Sequence, residues 1–479
     1  MTERSCEVVV VGGGGAGLAA AITAAELGRK VILLEKADAL GGSTALSIGS
    51  VTAAGTPDQK AAGVDDSPAE HLADFPAWAG ALAHRDNLDL ARLLADNAAA
   101  ALAWLRASGL EFYGPLPEPP HRKPRMHNVL PNSRAFVYHL SRRARRAGVE
   151  VVLNSKAQKL LLDDSSVIGV ETAQERLLSR SVVLAGGDFS ASAAFRSEYA
   201  APEFHGLQAV NVHAEGDCQR MAREVGGVIL NGDLAFGDPR YRFRAPARSP
   251  WWLGLPPVRP ITTLMRFALR RVPAPVIRPF ILSFLTTALA PETNLFDKGA
   301  LLVNGNGDLF RREGESLGFA IARQPERQAY ALLDAQAMEA FSRWPNYVST
   351  APGVAYAYID DYRRTRPDIC ALADTVDEVA RLRGLIPEKL RASLAGREAK
   401  PPYLLLGPIH SYVVLADGGL AVSRKMEVLD RGGKPIGGLY AAGSTGQGGL
   451  LLRGHGHHLA WAFVSGRIAG ENAASAAAA

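Results

Sequence analysis

Residues 7–17 read EVVVVGGGGAG, a β-branched run that stops at glycines, and residues 18–28 continue as LAAAITAAELG, whose alanines and leucines suit a helix. The spacing predicts a strand, a tight turn and a helix, with the glycines falling as Gly12-x-Gly14-x-x-Gly17. Gly12 permits the turn, Gly14 lets backbone approach a pyrophosphate, and Gly17 lets the helix pack on the strand. Ala16 lies inside the same turn, and the helix N-terminus offers N–H groups and a positive dipole end to phosphates. A second strand in KVILLEK (30–36) ends in Glu35, 18 residues after Gly17, where a carboxylate can accept both ribose hydroxyls, with Lys36 beside it. Strand, turn, helix, strand and acid in this order define a dinucleotide site.

The stretch after Lys36 separates two dinucleotides. A nicotinamide domain would normally continue into another helix, whereas residues 37–56 read ADALGGSTALSIGSVTAAGT, with Gly42, Ser43, Thr44 and Gly49. Small residues let a long cofactor pass close to the backbone, which favours FAD.

Composition excludes other classes. With 479 residues, 47% apolar and 21% charged, the chain has the make-up of a globular protein of two or three domains. Cys6, Cys218 and Cys370 form no Cys-x-x-Cys pair and cannot staple a fold of this length, so a reducing, cytoplasmic setting is expected. A strand that starts by about Glu7 leaves no room for a cleaved leader ahead of it. No run reaches the roughly 18 apolar residues of a membrane span. The net charge of +5 is uneven: residues 239–291 hold nine arginines and no acid, so the remainder is net negative. No zinc-finger, RRM or helix-turn-helix pattern accompanies that basic segment, and no nucleic-acid partner is expected.

Further glycine-containing islands carry a resemblance. VVLAGGDFS (182–190), GDCQRMAREVGG (216–227), ALLVNGNGDLFRRE (300–313) and GGLYAAGSTGQGG followed by RGHGHHLAWAFVSGRIAGENAA stand in the order found in one flavoprotein superfamily. The chain resembles the FAD-binding fumarate reductase and succinate dehydrogenase flavoproteins, a superfamily that includes the 3-ketosteroid dehydrogenases, over nearly its whole length. The resemblance implies an α/β fold: a Rossmann-like FAD-binding domain formed from both chain ends (1–232 and 401–479), with an inserted α+β substrate-capping domain at 233–400. It adds Ala185, Gly186, Gly187, Gly443, Ser444, Gly456, His457, His458 and Leu459 to the FAD contacts. Covalent members carry a flavin-linking histidine after the acid; Gly42-Ser43-Thr44 has none, so non-covalent FAD is expected. The HGHH run at 455–458 has spacings poorer than the i, i+4 histidine pair of a zinc helix, and no metal site is expected.

At the reacting end, Arg453 precedes Arg467 by 14 residues, the spacing of the family arginine that grips a substrate carboxylate. The family's proton-donating arginine is matched by Glu315-Ser316-Leu317, with Arg323 nearby. Tyr403 and Gly407 match the tyrosine and glycine N–H that ketosteroid dehydrogenases place on a substrate carbonyl. Polarising that carbonyl acidifies the α-hydrogen, a base (Tyr113, Tyr138, His410 or Tyr412) removes it, and the β-hydrogen passes to the flavin. The expected reaction is desaturation beside the carbonyl of a lipophilic cyclic ketone, ketosteroid- or cyclohexanone-like, with a carboxylate on it for Arg453. The alternatives are a fumarate-reductase-like reduction of an α,β-unsaturated carboxylate or enone, and a non-redox flavoprotein isomerase. The partners expected are a small lipophilic substrate and an electron acceptor that the sequence does not name. Segment 239–285 interleaves arginines with Trp251, Trp252 and leucines, and reads first as cap core, then as substrate mouth, and last as peripheral membrane or partner contact.

Overall fold

In the computed structural model, the described residues are 2–234, 239–247, 254–273, 290–310, 314–351 and 355–478, with Arg278, Leu282 and Thr286. The N-terminal run becomes strand β1 (Thr2–Val11), helix α1 (Gly15–Glu26) and strand β2 (Val31–Leu34). Two further parallel strands, β3 (Glu150–Val152) and β4 (Glu175–Leu184), flank them, giving the order β3-β2-β1-β4. Val8, Val9, Ile32, Leu33, Val182 and Val183 have no exposed surface. Such unbroken apolar runs are what a parallel strand covered on both faces requires. Strand 166–172 returns antiparallel on 157–163, pairs with β4 and extends the sheet.

A second sheet is built on the long strand β5 (Tyr403–Val413), which pairs antiparallel with 240–243, 328–333 and 370–373 and parallel with 208–209. The sequence assigned 401–479 to the FAD-binding domain, whereas β5 is the central strand of this other sheet. Leu404, Leu406 and Ile409 enter one apolar cluster and Leu405 another, so both faces of β5 are covered. The chain rejoins the first sheet with β6 (Pro435–Ala441), which pairs parallel with β4. Between β5 and β6, Gly419 packs so closely on Ser444 and Gln447 that a Cβ there would lie 2.7 Å from the Ser444 carbonyl oxygen. The C-terminal end of β5 is thereby joined to the first domain. Thr375 caps the helix Val376–Arg383, its Oγ1 accepting from Glu378 N–H at 3.2 Å.

The last element, α2 (His457–Ala478), packs on α1. A Cβ on Gly466 would lie 2.4 Å from Ala16 O, and one on Gly470 2.4 Å from Ala20 O. The alanine-rich tail after Asn472, whose composition alone predicts fraying, is helical to Ala478. Ala473, Ala474 and Ala477 are buried, and Ser181 Oγ donates to Ala473 O at 3.0 Å. Small side chains let two helices approach until backbone meets backbone. Gly470→Leu is therefore expected to destabilise the protein by about 1–3 kcal/mol, read as a lower denaturation midpoint with the m-value unchanged; an unchanged midpoint would contradict this packing.

Candidate cofactor and active site

A cleft of about 860 Å³, counting its solvent-facing mouth, opens at the carboxyl ends of β1, β2, β3, β4 and β6. That is where an open parallel sheet binds its ligand. Its floor is the 11–16 turn. Gly12 has φ +107°, and a Cβ there would lie 2.4 Å from Ala185 O. Gly17 does not line the cleft; its missing Cβ lets Gly12 O approach to within 1.8 Å of that position, the close strand–helix packing expected of a third glycine. Gly14 is the N-cap of helix α1 and has no side chain to bond the first turn, so the helix N-terminus faces the cleft.

Glu35 is buried, and its carboxylate accepts from Gly13 N–H at 2.7 Å and from Ala37 N–H at 2.9 Å. It ties the end of β2 to the glycine turn and lines the cleft with Lys36. Gly42, Ser43 and Thr44 form one wall, and Thr44 Oγ1 accepts from Gly15 N–H at 3.0 Å. Ala185, Gly186, Gly187, Gly443 and Ser444 form the other. A Cβ on Gly186 would meet Cys218 Sγ at 2.6 Å, and burial pushes that thiol up to about 12, so it is not a nucleophile.

Sequence reasoning missed Ser155, Lys156, Asn211, His213 and Asp217, all on the wall. Their signal was available in part, because Ser155 and Lys156 follow β3, a third parallel strand ending at the same crevice. Lys36 and Lys156 each bridge Glu215 and Asp217 at 2.7–3.1 Å, a charge-balanced rim. The remaining predicted cofactor residues support the site from behind. Gly49 packs on Val129, and Gly456 (φ +91°) on Thr52, whose N–H donates to Gly456 O. His458 is partly buried, Leu459 lies in the core, and His457 points to a different cluster.

The residues proposed for chemistry do not gather at one point. Tyr403 begins β5 and donates its hydroxyl to Ala399 O at 3.1 Å. Tyr412 lies nine residues along the same strand, about 30 Å away at a strand's rise, and Gly407 stands between them beside Tyr330. His410 and Tyr412 occupy the half of β5 nearer the first domain. The Arg242 guanidinium lies over the Tyr412 ring at 4.8 Å. Burial raises the Tyr412 phenol pKa, and burial with Arg244 and Arg242 lowers that of His410. Arg453 Nη2 donates to Asp417 at 2.9 Å. Burial raises the buried Asp417 carboxyl, against the pull of Arg453 and Arg240. Arg453, Arg240 and Tyr412 thus stand where the end of β5 meets the flavin-side turn. Arg323 is held at the surface by Glu315 and by Glu203 at 3.0 Å.

Of the basic segment, Trp251 and Trp252 lie outside the described residues, as do 248–250 and most of 274–285. The helix Arg259–Arg271 is described, with Leu264 and Phe267 exposed and Arg266 paired to Glu111 at 2.7 Å. Among the described residues no helix is long and apolar enough to cross a membrane.

An uncapped helix N-terminus, an acid at the end of β2 and a glycine-lined cleft define a dinucleotide-binding flavoprotein. Residues 7–237 match the family described as FAD binding domain, and the chain is an FAD-dependent oxidoreductase. A probable fumarate reductase, Ifc3, of Shewanella frigidimarina is 26% identical over 508 residues, spanning 98% of this chain and 75% of that protein. The open conformation of a flavocytochrome c3 fumarate reductase superposes with a TM-score of 0.74 at 24% identity, over 99% of this chain and 79% of that one. A 3-ketosteroid Δ1-dehydrogenase from Sterolibacterium denitrificans follows the same fold, with a TM-score of 0.67 at 18% identity over 98% and 99% of the two chains. Because Glu35 holds the glycine turn through the Gly13 N–H and its own following loop through the Ala37 N–H, Glu35→Ala is expected to weaken FAD binding about 10- to 100-fold. Flavin fluorescence titration measures this, and an unchanged affinity would contradict the role given to Glu35.

Proposed function

We propose that the protein reduces an activated carbon–carbon double bond conjugated to a carboxylate, with Arg453 as the carboxylate-binding residue. The observation that carries this reading is the spread of candidates along β5. Tyr403 and Gly407 sit too far from the flavin-side end of that strand to share a small substrate with Tyr412. Arg453 stands at that end with Arg240, around Asp417. A guanidinium fork beside a second cation favours a carboxylate over a neutral ketone.

FAD, when bound, supplies a two-electron exchange at its N5. Arg453 keeps one guanidinium edge on Asp417 and turns the rest toward the substrate, so the fork is fixed before substrate arrives. Tyr412 is the acid we assign. Burial keeps its Oη protonated at neutral pH, and the α-carbon of the substrate takes that proton. The FAD is held without a covalent bond, since the wall at Gly42, Ser43 and Thr44 carries no histidine.

The expected ketone desaturation remains the second reading, supported by the apolar cap cluster around Leu404, Leu406 and Ile409 and by the shared fold of a ketosteroid dehydrogenase. Steady-state assays with a reduced donor separate the two. Arg453→Gln is expected to raise KM for unsaturated acids at least about 10-fold with no change for the corresponding methyl esters. Tyr412→Phe is expected to lower kcat by about 100-fold or more with KM preserved. Equal losses on acids and esters in Arg453→Gln would overturn the carboxylate reading.

A further inference from the structure

Three histidines remote in sequence converge behind the flavin-side loop. His71 lies on the helix Pro68–Leu72, His121 precedes the strand Met126–Leu130, and His457 opens α2. All three are buried, with 0%, 8% and 1% of their surface exposed. One ring nitrogen from each lies within 4.8 Å of the other two, and Nε2 of His71 faces Nε2 of His457 at 3.0 Å. Phe75 and Trp78 wall the cluster.

His71 Nε2 and His457 Nε2 share one hydrogen bond, and two further ring nitrogens of the cluster have none. His457 Nδ1–H donates to Arg453 O, which directs the Nε2 lone pair into the cluster. His71 Nδ1 and His121 Nε2 are buried without a partner. An unpaired nitrogen in a dry site is costly.

The surroundings do not repel a cation. Arg125 Nη1 donates to His121 Nδ1 at 3.2 Å, and Arg125 is fully buried between Asp66 and Asp74, which also holds Arg122. Two arginines and two aspartates cancel. Asp74 Oδ2 stands 3.7 Å from His121 Nδ1; ligation through Nε2 moves the ring proton to Nδ1, which then exchanges the Arg125 donor for the Asp74 acceptor. A carboxylate behind one ligating imidazole and a backbone carbonyl behind another are the usual outer partners of metal-bound histidines.

We propose that His71, His121 and His457 form a binding site for one divalent cation of the zinc type, with its fourth position open to water or a small anion. Three neutral imidazoles and no carboxylate select a borderline transition ion over magnesium or calcium. Bonds of about 2.0–2.1 Å place tetrahedral nitrogens about 3.3 Å apart, close to the His71–His457 spacing, and His121 needs a modest shift inward. The HGHH run supplies a single ligand, His457; the other two come from parts of the chain that no local spacing could connect. The ion would clamp the Arg453–His457 loop to the helix carrying His71. This site stands independently of the substrate assignment.

The test uses untagged holoprotein, stripped with a chelator, incubated with zinc chloride and desalted before elemental analysis. Wild type is expected to retain one zinc per chain, and cobalt in its place to show ligand-field bands to the red of the flavin absorption. His71→Gln and His121→Gln, checked for full FAD content, are expected each to lose about 100-fold or more in zinc affinity. Retention below about 0.1 equivalent by wild type would overturn the site, and so would unchanged affinity in both variants. The wild-type titration decides the matter even where a variant fails to fold.

Discussion

The fold depends on one steric constraint: backbone must touch backbone where β1, β4 and α1 meet. Gly12 adopts φ +107° with the Ala185 carbonyl against it, and Gly17 accepts the Gly12 carbonyl where a side chain would otherwise stand. A Cβ at either position would drive the helix off the sheet, and the uncapped N-terminus of α1 would no longer face the cleft. The same device recurs at Gly466 and Gly470, which seat α2 on α1. The C-terminal helix is thereby held against the N-terminal turn, and one domain is made from both ends of the chain.

That constraint was legible because it is local. Strand, turn, helix, strand and acid occupy 35 consecutive residues, and Glu35 sits where the pattern puts it. The Ala185–Gly187 and Gly443–Ser444 walls were legible through resemblance. What escaped was long-range. Residues 403–413 read as a strand but carry no mark of which sheet takes them, and pairing with 240–243, 328–333 and 370–373 settles it. The alanine tail looks free in sequence because alanines bury against any flat surface, and here that surface is α1 and β4. His71 and His457, 386 residues apart, could not be associated by any spacing rule.

The length of β5 governs the chemistry. A strand of eleven residues separates its ends by more than any small substrate, so residues from both ends cannot serve one reacting centre. The end that counts is the one tied by Gly419 to the Ser444 turn, and there stand Tyr412, Asp417, Arg240 and Arg453. On the proposed function, the cationic groups at that junction bind an anionic substrate, and their attachment to both domains makes the relative position of cap and flavin domain part of its recognition.

The measurement that tests this account most directly is anaerobic mixing of chemically reduced holoenzyme with α,β-unsaturated carboxylates and with their amides, alongside mixing of oxidised enzyme with saturated cyclic ketones, followed by flavin absorbance. The account predicts rapid return of the oxidised spectrum with an unsaturated acid, slower return with its amide, and no bleaching by ketones. Bleaching by a ketone, with no reoxidation by any unsaturated acid, would contradict it.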